Sequence, residues 1–350
     1  MASPFSACAL VCPRCRHVDG AGTLVVGDLV DQRTRAKAIP GELDASFALE
    51  CTRCTASYPV VRGIPIVLPS PEALTLEHTP LGDLTEAPLE TRLAALDGHA
   101  PASELVRSSA RLGRWAMAHF RDHAEARHGP PSPFDAQDGA IHPVEVVAWL
   151  EALSPASDGD VLGVMGSGPG REAWESTCAT LLVDAHLPSL FLSRRLAREG
   201  AVDVAVPRDP RSFRGVRISW PERPKADVAW VCADVHDPPF RAGAFTRTLA
   251  ENLLDSVADP TLVFRQLGAL TAPGGPLVVT SPFAFREEVT PVERWLGDAR
   301  TSAPDALVAL AEVSRLRLQA RRELRFTLRA HDREAAAYAS LGLAFRKDAR

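Results

Sequence analysis

Apolar residues along the chain recur with two periods. Alternation runs through Tyr58-Pro-Val-Val and Ile64-Pro-Ile-Val-Leu, is broken at Arg62-Gly63, and predicts short strands meeting at a turn. Helical spacing sets Leu89, Leu93 and Leu96 on one face. Leu105, Leu112 and Phe120 recur likewise, with Trp115, Met117 and His119 among them, a group that reads as helix packing ahead of a ligand pocket. A further helix starts at Pro143 and carries Val146, Trp149, Leu150 and Leu153 on one side. Beyond it, apolar runs at 161–165, 180–183, 229–233, 246–250 and 276–281 predict buried strands. A helix is expected over 260–270, and a final strand at 341–345 paired as a hairpin with 324–328. Strands alternating with helices in this way predict an α/β fold.

Breaks in these patterns divide the chain into a small β-rich domain over 1–70, a helical connector over 71–140 and a main domain over 141–350. The stretch Gly129-Pro-Pro-Ser-Pro133 marks the main boundary, because proline fixes φ and removes a donor. No internal repeat is visible.

Composition narrows the class. The 350 residues are 46% hydrophobic and 24% charged, enough for a sizeable core. A net charge of −5 argues against coating nucleic acid by bulk electrostatics. Lysine occurs only at Lys37, Lys225 and Lys347, and so strong an arginine skew reflects GC-rich coding before phosphate binding. No apolar run approaches the roughly 18 residues of a membrane helix, and MASPFSACALVC lacks the basic start of a secretory signal. A soluble, cytoplasmic protein without a membrane partner is expected.

Four of the seven cysteines form two C-x-x-C pairs, Cys12-Pro-Arg-Cys15 and Cys51-Thr-Arg-Cys54. Two thiolates two residues apart can chelate one ion from a tight turn, and two such turns close a tetrahedral shell. Zn2+ is the expected ion. With no open coordination position its role is structural, and its binding is folding energy on the order of 10–16 kcal/mol. A redox pair wants a thioredoxin-like strand-to-helix context that neither pair has, and an iron–sulfur cluster fits the symmetric spacing less well. Cys8, Cys178 and Cys232 read as spare thiols, and His17 as a solvated residue ahead of a substitute ligand. With the tail Tyr58-Pro59-Val and Gly63-Ile64-Pro65, residues 8–69 resemble the small zinc-ribbon activator subunit of tRNA, rRNA and protein methyltransferases. The resemblance implies a domain that stabilises a methyltransferase without doing chemistry itself.

The strand at 161–165 runs into Gly166-Ser167-Gly168-Pro169-Gly170 and then a helix. Such glycines let backbone approach a ligand, and the helix start offers unpaired N–H groups. The turn alone suits many nucleotides. The next strand ends in Asp184-Ala185, where an acid can take both hydroxyls of a ribose. Ala233-Asp234-Val235, Glu251-Asn252-Leu253-Leu254 and Pro273-Gly-Gly275 follow in order.

Together these motifs make residues 143–350 resemble the class I S-adenosylmethionine-dependent methyltransferases. The resemblance implies a Rossmann-like sheet of seven strands, the last antiparallel, with helices on both faces. Gly166, Ser167, Gly168 and Gly170 would line the methionine and ribose, and Asp184, with Ala185 beside it, would hold the ribose. Asp234 would meet the adenine amino group and Val235 its face, with Glu251 and Asn252 at the end of the fourth strand. Catalysis in this fold needs little beyond alignment, so no general base is named.

Two positions depart from the family pattern. Val164 stands where an acid often meets the cofactor's amino end, and Thr246 where a Phe-Asp pair is usual. Asp237-Pro-Pro-Phe240 is similar to an amino-methylation signature but sits one strand early, and reads as a structural turn. Residues 281–285, with Glu287, Glu288 and Trp295, are expected to border the substrate pocket. The span 313–334 holds seven arginines against three acids, which reads as plain surface ahead of an RNA contact.

The function expected is methyl transfer from S-adenosylmethionine with a fused zinc domain. An N-terminal zinc site before the same fold in a family of large-subunit rRNA guanine methyltransferases makes RNA the first acceptor to consider, with protein and small molecules open. A degenerate copy used for binding is the alternative, and Val164 motivates it. A nicotinamide-dependent oxidoreductase shares the glycine turn and its acid, but Pro273-Gly-Gly275 and Asp234 argue against it. Nothing in the sequence fixes the oligomeric state.

Overall fold

The structure, a computed structural model, describes residues 10–15, 17–18, 24–25, 29–31, 47–54, 56–68, 88–97, 103–127 and 142–349. Cys8, the side chain of His17 and the proline stretch 129–133 lie outside the described residues.

The N-terminal part contributes β1 (His17–Val18), β2 (Leu24–Val25), β3 (Leu29–Asp31), β4 (Phe47–Cys51), β5 (Ser57–Val61) and β6 (Ile64–Val67). Arg62-Gly63 makes the β5–β6 turn, both residues at positive φ, the region glycine enters freely. Helices α1 (Leu89–Asp97) and α2 (Glu104–Phe120) follow, then β7 (Ala124–Ala126). Ser103 caps α2 by accepting the Val106 N–H.

The rest alternates as the sequence predicts: α3 (His142–Leu153), β8 (Val161–Met165), α4 (Glu172–Glu175), β9 (Ala179–Asp184) and α5 (Leu187–Glu199). Then come β10 (Ala201–Pro207), β11 (Phe213–Ser219), β12 (Val228–Ala233), β13 (Arg247–Glu251), α6 (Pro260–Leu270), β14 (Pro276–Ser281) and α7 (Ala303–Val313). The chain closes with β15 (Leu316–His331) and β16 (Glu334–Lys347).

Seven strands lie in the order β12-β9-β8-β13-β14-β16-β15. The first five are mutually parallel and β16 runs antiparallel to β14, so the expected mixed sheet is present. Its two faces are covered separately. On one, Val161, Leu181 and Leu277 pack with α6 and α7 through Phe264, Leu267 and Leu307. On the other, Leu162, Leu182 and Val278 pack with α2, α3 and α5 through Leu112, Leu150 and Leu190. Neighbouring residues feed opposite faces because strand side chains alternate.

Three features depart from expectation. First, the ribbon does not sit apart from this sheet. β6 pairs in parallel with β12, Ile66 opposite Cys232 and Val67 opposite Ala233, and β5, β4 and β3 continue outward to give eleven strands. Second, residues 184–228 hold a hairpin, β10–β11, which β7 joins as a separate three-stranded sheet. Helix α2 lies close on it: a Cβ at Gly113 would stand 2.3 Å from the Ala205 carbonyl oxygen. Third, the final hairpin turns at Asp332-Arg333 and is longer than expected. Leu341 and Phe345 oppose Glu323 and Leu318, while Leu324 and Leu328 oppose Ser340 and Ala336.

Candidate functional site

The four paired cysteines converge, their Sγ atoms all within 4.8 Å of one another. Cys12 and Cys54 are 3.6 Å apart, and Cys15 and Cys51 3.5 Å. These distances are close to the edge of a sulfur tetrahedron around zinc, about 3.8 Å for bonds of 2.3 Å. Buried Tyr58 lies 3.1 Å from Cys12 Sγ with its hydroxyl, and Arg53 N–H donates to Cys51 Sγ. Burial and the neighbouring thiols push Cys15 up to about 12. At Cys51 burial opposes ionisation, but the Cys54 and Arg53 backbone N–H groups outweigh it and bring the thiol down to about 7. Without a cation the cluster cannot carry four negative charges; a divalent ion removes that obstacle.

The glycine turn leaves the carboxyl end of β8, next to β13, where the strand order reverses. Open α/β sheets bind ligands at this crevice. Gly166, Gly168 and Gly170 all have positive φ, and the N–H groups of Gly166 and Ser167 both reach Val183 O. Asp184, buried at the end of β9, accepts Gly168 N–H on one oxygen and His186 N–H on the other, each at 2.7 Å. Burial raises its pKa even so, against those backbone donors. Ala185 beside it is exposed.

The connector helix closes over this turn. His119, fully buried, faces Gly168, and its Nδ1 takes Arg171 N–H at 3.4 Å. The Arg171 guanidinium lies 4.1 Å over the Trp220 ring and bonds Asp122, Glu175 and the His119 carbonyl. Ser108, also on α2, bonds His186 at 3.0 Å. His119 is therefore more than helix packing. Burial pushes it down to about 3, so it faces the turn as neutral imidazole.

A Cβ on Gly168 would meet nothing nearer than His119 Nε2 at 3.7 Å, leaving a methyl-sized gap between turn and helix. Gly168→Ala is accordingly expected to cost the fold only about 1–2 kcal/mol for its φ of +52° while filling that gap. Thermal melts near wild type with at least a tenfold loss of nucleoside-ligand affinity in calorimetry are the expected pair of results.

Two strands from β8, Asp234 follows β12 half-buried and holds His236 through both its backbone N–H and Nδ1. The His236 hydrogen bond lowers the pKa of Asp234, and Val235 packs into the core beside it. Asp237-Pro-Pro-Phe240 is a docking turn: Phe240 is buried against Phe245 at 5.1 Å, and Val11 N–H donates to Pro239 O. Thr246 braces the start of β8 by accepting Val161 N–H at 2.8 Å. The seven arginines of 313–334 do not form a bare cationic face, since Arg317, Arg321 and Arg329 pair with Asp348, Asp305 and Asp332.

Glu251 ends β13 and Asn252 follows at φ 48°, its Oδ1 accepting the Ser340 hydroxyl at 2.7 Å. Beside Glu251 the structure gathers residues that sequence reading left aside, His142 and Glu172. His142 Nδ1 lies 2.8 Å from Glu251 Oε2, and Glu172 is buried in the same cluster, so the two carboxyls disfavour a second negative charge there. Burial pushes Glu172 well up and Glu251 to about 8, and it pushes His142 down to about 4.

Between about pH 7.5 and 8 both buried histidines are essentially neutral folded or unfolded, whereas Glu251 holds much of its proton only when folded. The native state then binds more protons than the unfolded one, so stability is expected to fall as pH rises, by about 1.4 kcal/mol per pH unit for each such proton. Urea unfolding across this window should show that slope in wild type and one proton's share less in Glu251→Gln.

Among the described residues no helix is long and apolar enough to cross a membrane. No family model matches the chain, and no curated protein matches it. Among solved structures, the chain is similar to a putative methyltransferase from Bacillus halodurans, at 10% identity over 58% of this chain and 99% of that one, with TM-score 0.40. A putative RNA methyltransferase from Pyrococcus horikoshii is 9% identical over 67% of this chain and 98% of its own, with TM-score 0.41. A chain from the complex between the Haloferax volcanii Trm112 methyltransferase activator and the putative methyltransferase is 12% identical over 59% and 90%, with TM-score 0.37. The likeness is one of architecture, at identities too low to carry an activity across.

Proposed function

We propose that the chain is an S-adenosylmethionine-dependent methyltransferase whose four-cysteine ribbon holds a structural zinc ion. The observation that carries this reading is the Asp184 carboxylate, buried against the Gly168 N–H at the reversal point of the sheet. The residues fit the cofactor on three counts. A gap a Cβ would enter lies over Gly168, a buried acid with lone pairs to spare adjoins it, and Asp234 with Val235 flanks the same strand ends.

In this reading Gly166, Ser167, Gly168 and Gly170 bind the methionine and ribose portion through backbone, and Asp184 holds the ribose hydroxyls. Asp234 and Val235 receive the adenine, while Glu251 and Asn252 border the methyl end. The bound cofactor supplies an electrophilic methyl group on a sulfonium. The protein's share is alignment and exclusion of water, which α2 provides by covering the turn with His119. For the ribbon, four soft thiolates at near-tetrahedral spacing fit zinc, and no position is left for catalysis.

Calorimetry of the purified, zinc-loaded chain with S-adenosylhomocysteine tests the first part. Micromolar binding is expected, and none at millimolar ligand rejects it. Metal analysis is expected to find one zinc per chain. Transfer of a labelled methyl group to RNA, protein and metabolite fractions then sorts the acceptor, with RNA the first fraction to assay.

A second reading, a fold kept for binding alone, is favoured by Val164, which is buried in β8 and offers no charge to the cofactor's amino group. It differs by transferring no label to any fraction.

A further inference from the structure

Three separate elements deliver His142, Glu251 and Glu172 to one point near the carboxyl ends of β8 and β13: the starts of α3 and α4 and the end of β13. With Nδ1 of His142 on Glu251 Oε2, the imidazole geometry turns Nε2 away from Glu251. That Nε2 is buried and has no hydrogen-bond partner among the described residues. Buried polar atoms in folded proteins are nearly always paired, so one left open beside a binding crevice marks a ligand-facing group.

One face of the ring meets an aromatic pair. Phe326 meets it edge-on at 5.3 Å, and Phe326 stacks on Tyr338 across the final hairpin at 4.8 Å. Charged or titratable groups face it from Glu145 on its own helix, Glu172 on α4, Glu251 on β13 and His119 on α2, with Arg171 beyond His119.

We infer that His142 Nε2 takes the proton from a neutral O–H or N–H group of the methyl acceptor, with Glu251 positioning the ring, a role that presupposes the methyltransferase reading. The balance is simple. The acceptor's electron pair forms the new bond to the methyl carbon, the methyl–sulfur pair stays with sulfur, and the positive charge leaves as the proton on Nε2. Glu251 accepts Nδ1–H, which keeps the Nε2 lone pair free. Glu172, buried in the same cluster, disfavours a second negative charge beside Glu251. Burial keeps the imidazole neutral, as a base must be before it acts. Acceptors that reach Nε2 are therefore hydroxyls or amines that must shed a proton, not thiols that are already ionised.

The test uses the full zinc-loaded chain. Nitrogen-15 spectra of the histidine rings at about pH 9, above the Glu251 ionisation near 8, with S-adenosylhomocysteine bound, are expected to show His142 protonated on Nδ1 alone. The Nε2–H tautomer overturns the assignment. With labelled S-adenosylmethionine and whichever cell fraction the wild type methylates, His142→Gln is expected to lower kcat at least about 100-fold. S-adenosylhomocysteine affinity should stay within about threefold, which also reports that the variant folds. Glu251→Gln should remove the rise in kcat as pH passes through about 8. Activity within about threefold of wild type in His142→Gln, or an unchanged pH profile in Glu251→Gln, overturns the inference. A wild-type chain that binds no S-adenosylhomocysteine removes the methyltransferase reading and this inference together. Binding with an active His142→Gln removes this inference alone.

Discussion

Stripping the zinc proposed for the ribbon with a strong chelator is expected to destabilise the whole chain, not the ribbon alone. Structural zinc contributes on the order of 10–16 kcal/mol of binding to small domains, comparable with the roughly 5–15 kcal/mol that separates a folded domain from its unfolded state. In the proposed site the four cysteines would anchor β4 and the segment beside it, and the same meander ends in β6, which is hydrogen-bonded to β12. Leu10, Cys12, Leu49, Tyr58 and Val60 share one core with Val161, Met165 and Val231. Chelation should therefore lower the melting temperature by more than about 10 °C, at about 2–4 °C per kcal/mol for a domain of this class. Cys51→Ser should do the same without chelator. A melt unchanged by chelation, with zinc loss verified by metal analysis, would contradict the zinc assignment.

Asp184→Ala is expected to abolish measurable binding of S-adenosylhomocysteine while leaving a folded protein. The carboxylate accepts Gly168 N–H and His186 N–H, and in the proposed complex also two ribose hydroxyls. Hydrogen bonds to a charged group contribute about 1.5–3 kcal/mol each, so losing two weakens binding by about 3–6 kcal/mol, or more than 100-fold. The fold should tolerate the change better. Burial already disfavours the charged form of Asp184, so the group is costly to the free protein, which points to a role in binding. Affinity within about threefold of wild type would take Asp184 out of the site.

The sequence made the parallel strands legible because each is a short apolar run bounded by glycine, proline or an acid, as in 161–165 before Gly166 or 276–281 after Gly275. It also brought the four cysteines together, since two C-x-x-C pairs repeat a familiar order. The β10–β11 hairpin went unread although Val202, Val204 and Val206 alternate plainly. The pairing of Ile66 with Cys232 left no trace at all, because a parallel partner so far along the chain writes no local pattern. His142 and Glu172 were missed, and His119 was read as helix packing, for a related reason. Each is an ordinary residue on its own helix, and their chemistry arises from burial and from neighbours on other elements. Only Glu172, two residues after Gly170, carried a signal of position.

The seat of β6 between β5 and β12 also sets an order of events at the ribosome. Ile66 is made long before Cys232, and at about 5–20 residues per second its neighbour arrives some 10–30 s later. Throughout that interval an apolar strand with one open edge waits on the nascent chain, the kind of surface that chaperones and stray strands recognise. Early capture of the metal would keep Ile64 to Val67 folded onto β5 during the wait. Cells short of zinc during synthesis would then be expected to lose this protein to aggregation, even if zinc is restored afterwards.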